Sequence, residues 1–135
     1  MYYSTSVFNQ LIIQFKSKSN QIQVNVAQQS ITIMSAQIMV LYPRKEDYTF
    51  DKEYYLNKHM GVAKRIWGPH GLKSYSVLDA NADGPYAIVT VLDFEDAAGL
   101  GTAMTDPGLA ELMGDVKNFT NIEPVVVHGA IAGRG

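Results

Sequence analysis

Cysteine is absent from the chain, which excludes disulfide frameworks, thiolate metal sites, iron–sulfur clusters and cysteine nucleophiles together. Charge is sparse: charged residues make up 18% of the sequence, the formal net charge is -2, and no basic run exceeds Arg44-Lys45 or Lys64-Arg65. Such a chain has no surface for tracking a phosphate backbone, so no nucleic-acid partner is expected. Long apolar runs are missing as well. Val125-Val126-Val127 and Ala130-Ile131-Ala132 fall far short of the ~20 residues a membrane span needs, so a soluble, cytoplasmic protein with no membrane partner is expected. Neither a phosphate-cradling glycine loop nor a serine nucleophile elbow occurs. Gly99-Leu100-Gly101 lacks the strand–turn context and the third glycine of a dinucleotide fingerprint, so the expected cofactor complement is none.

What is present is enough hydrophobic sequence, 47% of 135 residues, to fill the core of one domain. Residues 1–35 differ from the remainder: six Gln, three Asn and six Ser, no Gly, no Pro, no acid, and only Lys16 and Lys18 charged. Val7, Phe8, Leu11, Ile12 and Phe15 fall on a short helical stripe, and Ile22, Val24 and Val26 alternate like a strand. An acid-free, serine-bearing leader is shared with organellar transit peptides, but this one has no arginine and no compact apolar core ahead of a small-residue cleavage site. The plainer reading makes residues 1–35 a poorly ordered N-terminal extension and residues 36–130 the functional domain.

From Ala36 the pattern sharpens. Gln37 to Tyr42 is an apolar run stopped by Pro43, as a buried first strand would be. Asp51 is placed to N-cap a helix and Phe50 to staple onto Tyr55, after which Tyr55, His59, Val62 and Ile66 form one inward stripe that ends at Gly68-Pro69, predicting a helix over 51–67. Leu72–Leu78 and Tyr86–Leu92 alternate around the turn Asn81-Ala82-Asp83-Gly84-Pro85 and predict a hairpin. Asp96 caps a helix over 97–104 that Gly99 and Gly101 weaken by ~1 kcal/mol each, so it should fray or bend. Asp106-Pro107 restarts a helix as N-cap and first residue, Gly114 ends it, and Ile122–His128 reads as the last strand. The order βαββαβ is that of an α+β, ferredoxin-like domain: one antiparallel sheet with helices on one face. Strands apolar on both sides call for a homodimer that covers the other face.

Several segments then carry a family likeness: Val40-Leu41-Tyr42-Pro43, Thr49-Phe50-Asp51 leading into Tyr54-Tyr55-Leu56-Asn57-Lys58-His59-Met60, Gly68-Pro69, and Asn118-Phe119-Thr120-Asn121-Ile122-Glu123-Pro124-Val125. In order and spacing, over roughly residues 36 to 128, they resemble the EthD family, named from ethyl tert-butyl ether degradation clusters. The resemblance implies a dimeric α/β barrel. It implies less about chemistry, because members are often named reductases or degradation proteins without a defined reaction. Relatives with the same barrel include monooxygenases, isomerases, decarboxylases and dehydratases. Two departures stand out: Gly61 where the family has proline after His-Met, and glycines 99 and 101 in a helix usually rich in good helix formers.

His59 is the candidate catalytic residue, the one side chain of the first helix able to exchange a proton near neutral pH and carried by the family motif; a core histidine bonded to a carbonyl is the competing reading. Tyr42, Tyr55, Trp67, Tyr75 and Phe119 are the candidate ligand-binding aromatics, with Tyr42 and Tyr75 as the preferred pair, although aromatics at such positions more often fill core. A metal site joining His59, His70 and His128 is disfavoured because their separations match no local ligand spacing. These residues point to a cofactor-independent acid–base enzyme of organic-compound catabolism acting on a small organic ligand, apolar or aromatic. The alternative is a non-catalytic binding or accessory dimer that supports a partner oxygenase.

Overall fold

The computed structural model describes residues 34–135. The helical stripe at 7–15, the alternation at 22–26 and the expected extension lie outside the described residues. Strand β1 (Ala36–Pro43) is followed by a helical run, α1, made of an α-helical turn Lys52–Tyr54, a π-helical turn Tyr55–His59 and an α-helix Met60–Trp67. A 3-10 turn (Gly68–His70) leads to β2 (Leu72–Asp79) and β3 (Tyr86–Phe94). Two short helices, α2 (Ala97–Ala103) and α3 (Leu109–Gly114), a 3-10 turn (Val116–Asn118) and β4 (Val125–Ala130) complete the chain. The four strands form one sheet in the order β2-β3-β1-β4, every neighbouring pair antiparallel, which is the ferredoxin-like arrangement expected from the order of elements.

The start of α1 is set locally. Asp51 accepts a hydrogen bond from the Tyr54 backbone N–H (2.9 Å), and the Phe50 ring packs on Tyr55 with centroids 5.1 Å apart, so cap and staple both form as expected. The interior differs from the simple stripe. The Met60 N–H reaches back to the Tyr55 carbonyl, five residues away, and this wider turn accommodates one additional residue. His59 and Met60 therefore both face inward, followed by Ala63, Ile66 and Trp67, whereas Val62 is only half-buried. The α-helical part ends at Trp67, and the chain reverses at Gly71, whose φ of 98° is a left-handed conformation suited to glycine.

Four sequence expectations are corrected. Helix α2 is not weakened without return by its glycines: a Cβ at Gly99 would stand 2.2 Å from the His70 carbonyl oxygen, so glycine is what lets α2 dock on the 3-10 turn that follows α1. Asp106 does not N-cap α3 with Pro107 as the first helical residue. Its Oδ1 accepts from Gly108 N (2.7 Å) in a turn, and α3 begins at Leu109; a Cβ at Gly108 would lie 3.0 Å from Asp106 Oδ1 and 3.1 Å from Ile66. The last strand begins at Val125, after Pro124, and is an edge strand exposed along its whole length. Pro43, expected to follow the first strand, is its last residue, where the register with β3 shifts.

The helices cover the sheet face that carries Ile38, Tyr42, Ile88, Leu92 and Phe94, all buried. Tyr42, Phe50, Tyr55 and Phe119 interlock there with centroid separations from 4.9 to 6.0 Å, mostly edge to face. On the opposite face Met39, Leu41, Val89 and Val91 are half-buried, and Leu78, Val125 and Val127 are exposed. Arg44 closes the far end of the sheet by donating to the carbonyls of Gly84 (3.0 Å), Asn81 (2.9 Å) and Tyr86 (2.9 Å), which holds the β2–β3 turn. Among the described residues no helix is long and apolar enough to cross a membrane.

Candidate functional site

A cavity of about 200 Å³ lies between the helix-covered face of the sheet and the helices. Val40 and Tyr42 of β1, Leu92 of β3 and Val126 of β4 form its floor; Tyr55, His59, Met60, Ala63 and Trp67 of α1 form one wall; Met104, Leu109, Leu112, Met113, Val116 and Pro124 close the rest. Two polar ends of its aromatic lining are occupied. The Tyr55 hydroxyl pairs with Thr90 Oγ1 (2.7 Å), and Trp67 Nε1 donates to the Ala103 carbonyl (3.1 Å). Burial, and then the neighbouring Tyr55, drive the Tyr42 phenol far above its ordinary value; burial does the same to Tyr55, so both stay protonated and neither can act as a base.

His59 is the exception in this lining. Its Nδ1 lies 2.7 Å from Asp115 Oδ2, while its ring stacks on Tyr55 (5.2 Å) and rests against Phe119 (4.6 Å). Asp115 follows α3 and accepts two further hydrogen bonds on Oδ1, from the Tyr54 hydroxyl (2.7 Å) and from Asn118 Nδ2 (2.9 Å). Burial alone would raise the Asp115 carboxyl, but the donors Asn118, Tyr54 and His59 together hold it below its usual value, so it is ionised. An ionised acceptor at Nδ1 places the ring proton there and leaves Nε2 with a lone pair. Burial pushes the imidazole below its ordinary pKa, and Asp115 offsets only part of this, so His59 is neutral at neutral pH. The arrangement is a neutral imidazole, oriented by a carboxylate, whose other nitrogen has no hydrogen-bond partner among the described residues, on the wall of an apolar cavity. Such a group can take a proton from a ligand.

Four of the residues singled out from the sequence, His59, Tyr42, Tyr55 and Trp67, line this cavity together. Phe119 does not line it and instead backs the His59 ring. Tyr75 also lies away from it, in a shallow surface depression with Lys64 and Leu72. Tyr42 and Tyr75 are not a pair, because β3 runs between their strands and the register sets Tyr42 opposite Ile88 but Tyr75 opposite Leu92. The three histidines do not converge: His70 pairs with Asp106 (2.7 Å), and His128 sits on the exposed edge strand opposite Ile38. Among the described residues no three His, Asp or Glu side chains are grouped to hold a metal ion. Sequence reasoning missed Asp115, a lone acid after a helix end that carries no local pattern, and its only available signal is its position three residues ahead of Asn118-Phe119.

No protein-family model matches the sequence, and no curated protein matches it either. Solved structures do. An EthD-like protein of Ralstonia eutropha JMP134 aligns with a TM-score of 0.63 at 25% identity, covering 76% of this chain and 96% of that one. An ethyl tert-butyl ether degradation (EthD) family protein of Bacillus halodurans C-125 aligns with a TM-score of 0.55 at 21% identity, over 73% of this chain and 99% of that one. SnoaB, a cofactor-independent oxygenase of Streptomyces nogalater, shares the fold at 12% identity and a TM-score of 0.51, over 76% and 95% of the two chains. The strand order and the near-complete coverage of two EthD-named structures agree, so the chain is similar in fold to EthD-like proteins.

Proposed function

We propose that the protein is a cofactor-independent acid–base enzyme of small-molecule catabolism, working in the cytoplasm, with His59 as the base that removes a proton from a small apolar or aromatic metabolite. The observation that carries this reading is His59 on the wall of an apolar cavity, with Nδ1 held by Asp115 and no partner for Nε2 among the described residues. Met60, Trp67 and Tyr42 would exclude water around the reacting atoms, and Tyr42, Tyr55 and Trp67 would orient a flat ligand. The naming of SnoaB as a cofactor-independent oxygenase supports the idea that this fold can house a reaction without a cofactor. The test is turnover of a metabolite panel by the wild type and by His59→Gln: wild-type turnover that falls roughly 10²–10⁴-fold in the variant supports the base role, and an unchanged rate overturns it.

One observation favours a second reading, a binding or accessory dimer. Among the described residues the cavity lining is almost wholly apolar and its few polar atoms suffice to orient a ligand without turning it over. Saturable binding that shifts His59 titration in NMR, with no turnover of any panel member, would select that reading.

We also propose a homodimer formed through the open sheet face. Exposed Leu78, Val125 and Val127 beside half-buried Met39, Leu41, Val89 and Val91 make an apolar surface of the kind that sheet-on-sheet packing covers.

A further inference from the structure

The cavity constrains the molecule it accepts more narrowly than its apolar character alone. Tyr55 is committed to Thr90 and Trp67 to the Ala103 carbonyl, while the Tyr42 phenol lies beside that of Tyr55. His59 Nε2, which has no partner among the described residues, is the basic atom of this lining that can address a polar group of the ligand, and it presents a lone pair rather than a proton. At His59 Nε2 a ligand that offers only a lone pair, such as an ether or a ketone, meets no donor. Among the described residues no lysine or arginine lines the cavity, and the Asp115 carboxylate stands directly behind His59. A carboxylate or phosphate would enter without a counter-charge, toward a negative group, in an apolar setting. The volume of about 200 Å³ is somewhat larger than the roughly 150 Å³ apolar cavity known to hold benzene, which leaves room for one substituted ring.

We infer that the cavity takes a neutral, single-ring molecule carrying one weakly acidic hydroxyl, a phenol or an enol, and turns away anions and ligands without a proton to donate. The inference rests on the reading of His59 as a base. In the step it implies, the O–H bond of the ligand breaks, its electron pair stays on the ligand oxygen and the proton forms an N–H bond at Nε2. Nδ1 keeps its hydrogen bond to Asp115, so the resulting imidazolium is held between two anions and no oxidant or cofactor is consumed.

Three probes of one skeleton test this: 4-nitrophenol, 4-nitroanisole, which lacks the acidic proton, and 4-nitrobenzoate, which carries a charge. Binding to the full chain is measured by calorimetry at a pH where the phenol is neutral and the benzoate ionised. The expected result is 4-nitrophenol binding at least tenfold more tightly than either of the others. Equal binding of phenol and anisole, preference for the benzoate, or no binding of any probe overturns the ligand class. His59→Phe, checked for a cooperative melt, should abolish the preference for phenol over anisole. If the preference survives in that variant, another atom receives the hydroxyl and the base reading itself falls. Loss of the preference in the wild type with a ligand-dependent shift of His59 titration would instead sink the ligand class and leave the base reading standing. Should His59→Phe fail to fold, the wild-type comparison of the three probes decides the ligand class, and proton uptake measured in buffers of different ionisation enthalpy decides the base.

Discussion

Tyr54 and His59, five residues apart on α1, end on the two oxygens of one carboxylate: the Tyr54 hydroxyl on Asp115 Oδ1 and His59 Nδ1 on Asp115 Oδ2, each at 2.7 Å. In a regular α-helix residues five apart are rotated by about 140° and could not share a short acceptor. The π turn Tyr55–His59 widens the helix and brings both side chains to the same side. The local irregularity of α1 thereby assembles the site.

Tyr54→Phe should leave His59 in place but remove one of the donors that keep Asp115 ionised. The Asp115 carboxyl then moves up toward its ordinary value, which NMR titration of the side chain carboxyl reads directly. An unmoved Asp115 titration in the variant would show that the Tyr54 hydroxyl contributes nothing to the site.

Asp115→Ala strips His59 Nδ1 of its acceptor inside the domain, and an unsatisfied buried donor costs about 1–3 kcal/mol, visible as a lowered melting temperature. Asp115→Asn keeps the shape but withdraws the charge that selects the tautomer, so activity should fall much further than stability. Equal activity in Asp115→Asn and wild type would dissociate Asp115 from the chemistry.

The pH dependence follows from the sign of the His59 shift. Burial lowers its folded-state pKa below 6.5, so the neutral, base-competent form persists into mildly acid solution, and activity should rise with pH through that lowered value and be level at neutrality. Stability runs in the same direction. The unfolded chain binds the proton more readily, so the His59 contribution begins to be lost as pH falls below about 6.5 and is fully lost below the folded value. A rate profile that rises only above pH 7, or a melting temperature that increases on acidification from 7 to 5, contradicts this.

Gly99→Ala is expected to destabilise the domain although alanine is the better helix former by about 1 kcal/mol. The new Cβ would meet the His70 carbonyl at 2.2 Å, and backbone cannot yield cheaply, so α2 must shift; overpacking of this kind costs roughly 1–3 kcal/mol. Gly101→Ala, with no atom within 4 Å of its Cβ, should by contrast be neutral or stabilising. Chemical denaturation of the two variants beside wild type reads both signs.

Val127→Lys on the open sheet face, opposite Met39, should convert a dimer into a 14.9 kDa monomer without loss of helical signal. Sedimentation equilibrium of the wild type at micromolar concentration must show the dimer first; a wild type that sediments only as a monomer rules out the assembly.

The division between sequence and tertiary structure is visible in single residues. Short-range chemistry was decided by the sequence: Asp51 caps and Phe50 staples because both partners lie within one helical turn, the βαββαβ order follows from apolar periodicity broken by turn residues, and His59 belongs to an inward stripe. Gly99 could be counted as a weakness only while its neighbour was unknown, since the carbonyl it accommodates belongs to His70, on a separate element. Tyr75 resembled Tyr42 in pattern, and only the insertion of β3 between their strands sends it away from the cavity. Asp115 is the clearest case. It stands 56 residues from His59, and no periodicity connects a lone acid after α3 to a histidine on α1. Their contact exists because the π turn rotates His59 and because the backbone bond from Asp51 N to the Phe119 carbonyl (2.8 Å) ties the segment after α3 to the start of α1. Periodic burial and capping are local and can be read along a chain; a hydrogen bond between distant side chains depends on the packing of every element between them, so the carboxylate that orients His59 was decided by the tertiary structure alone.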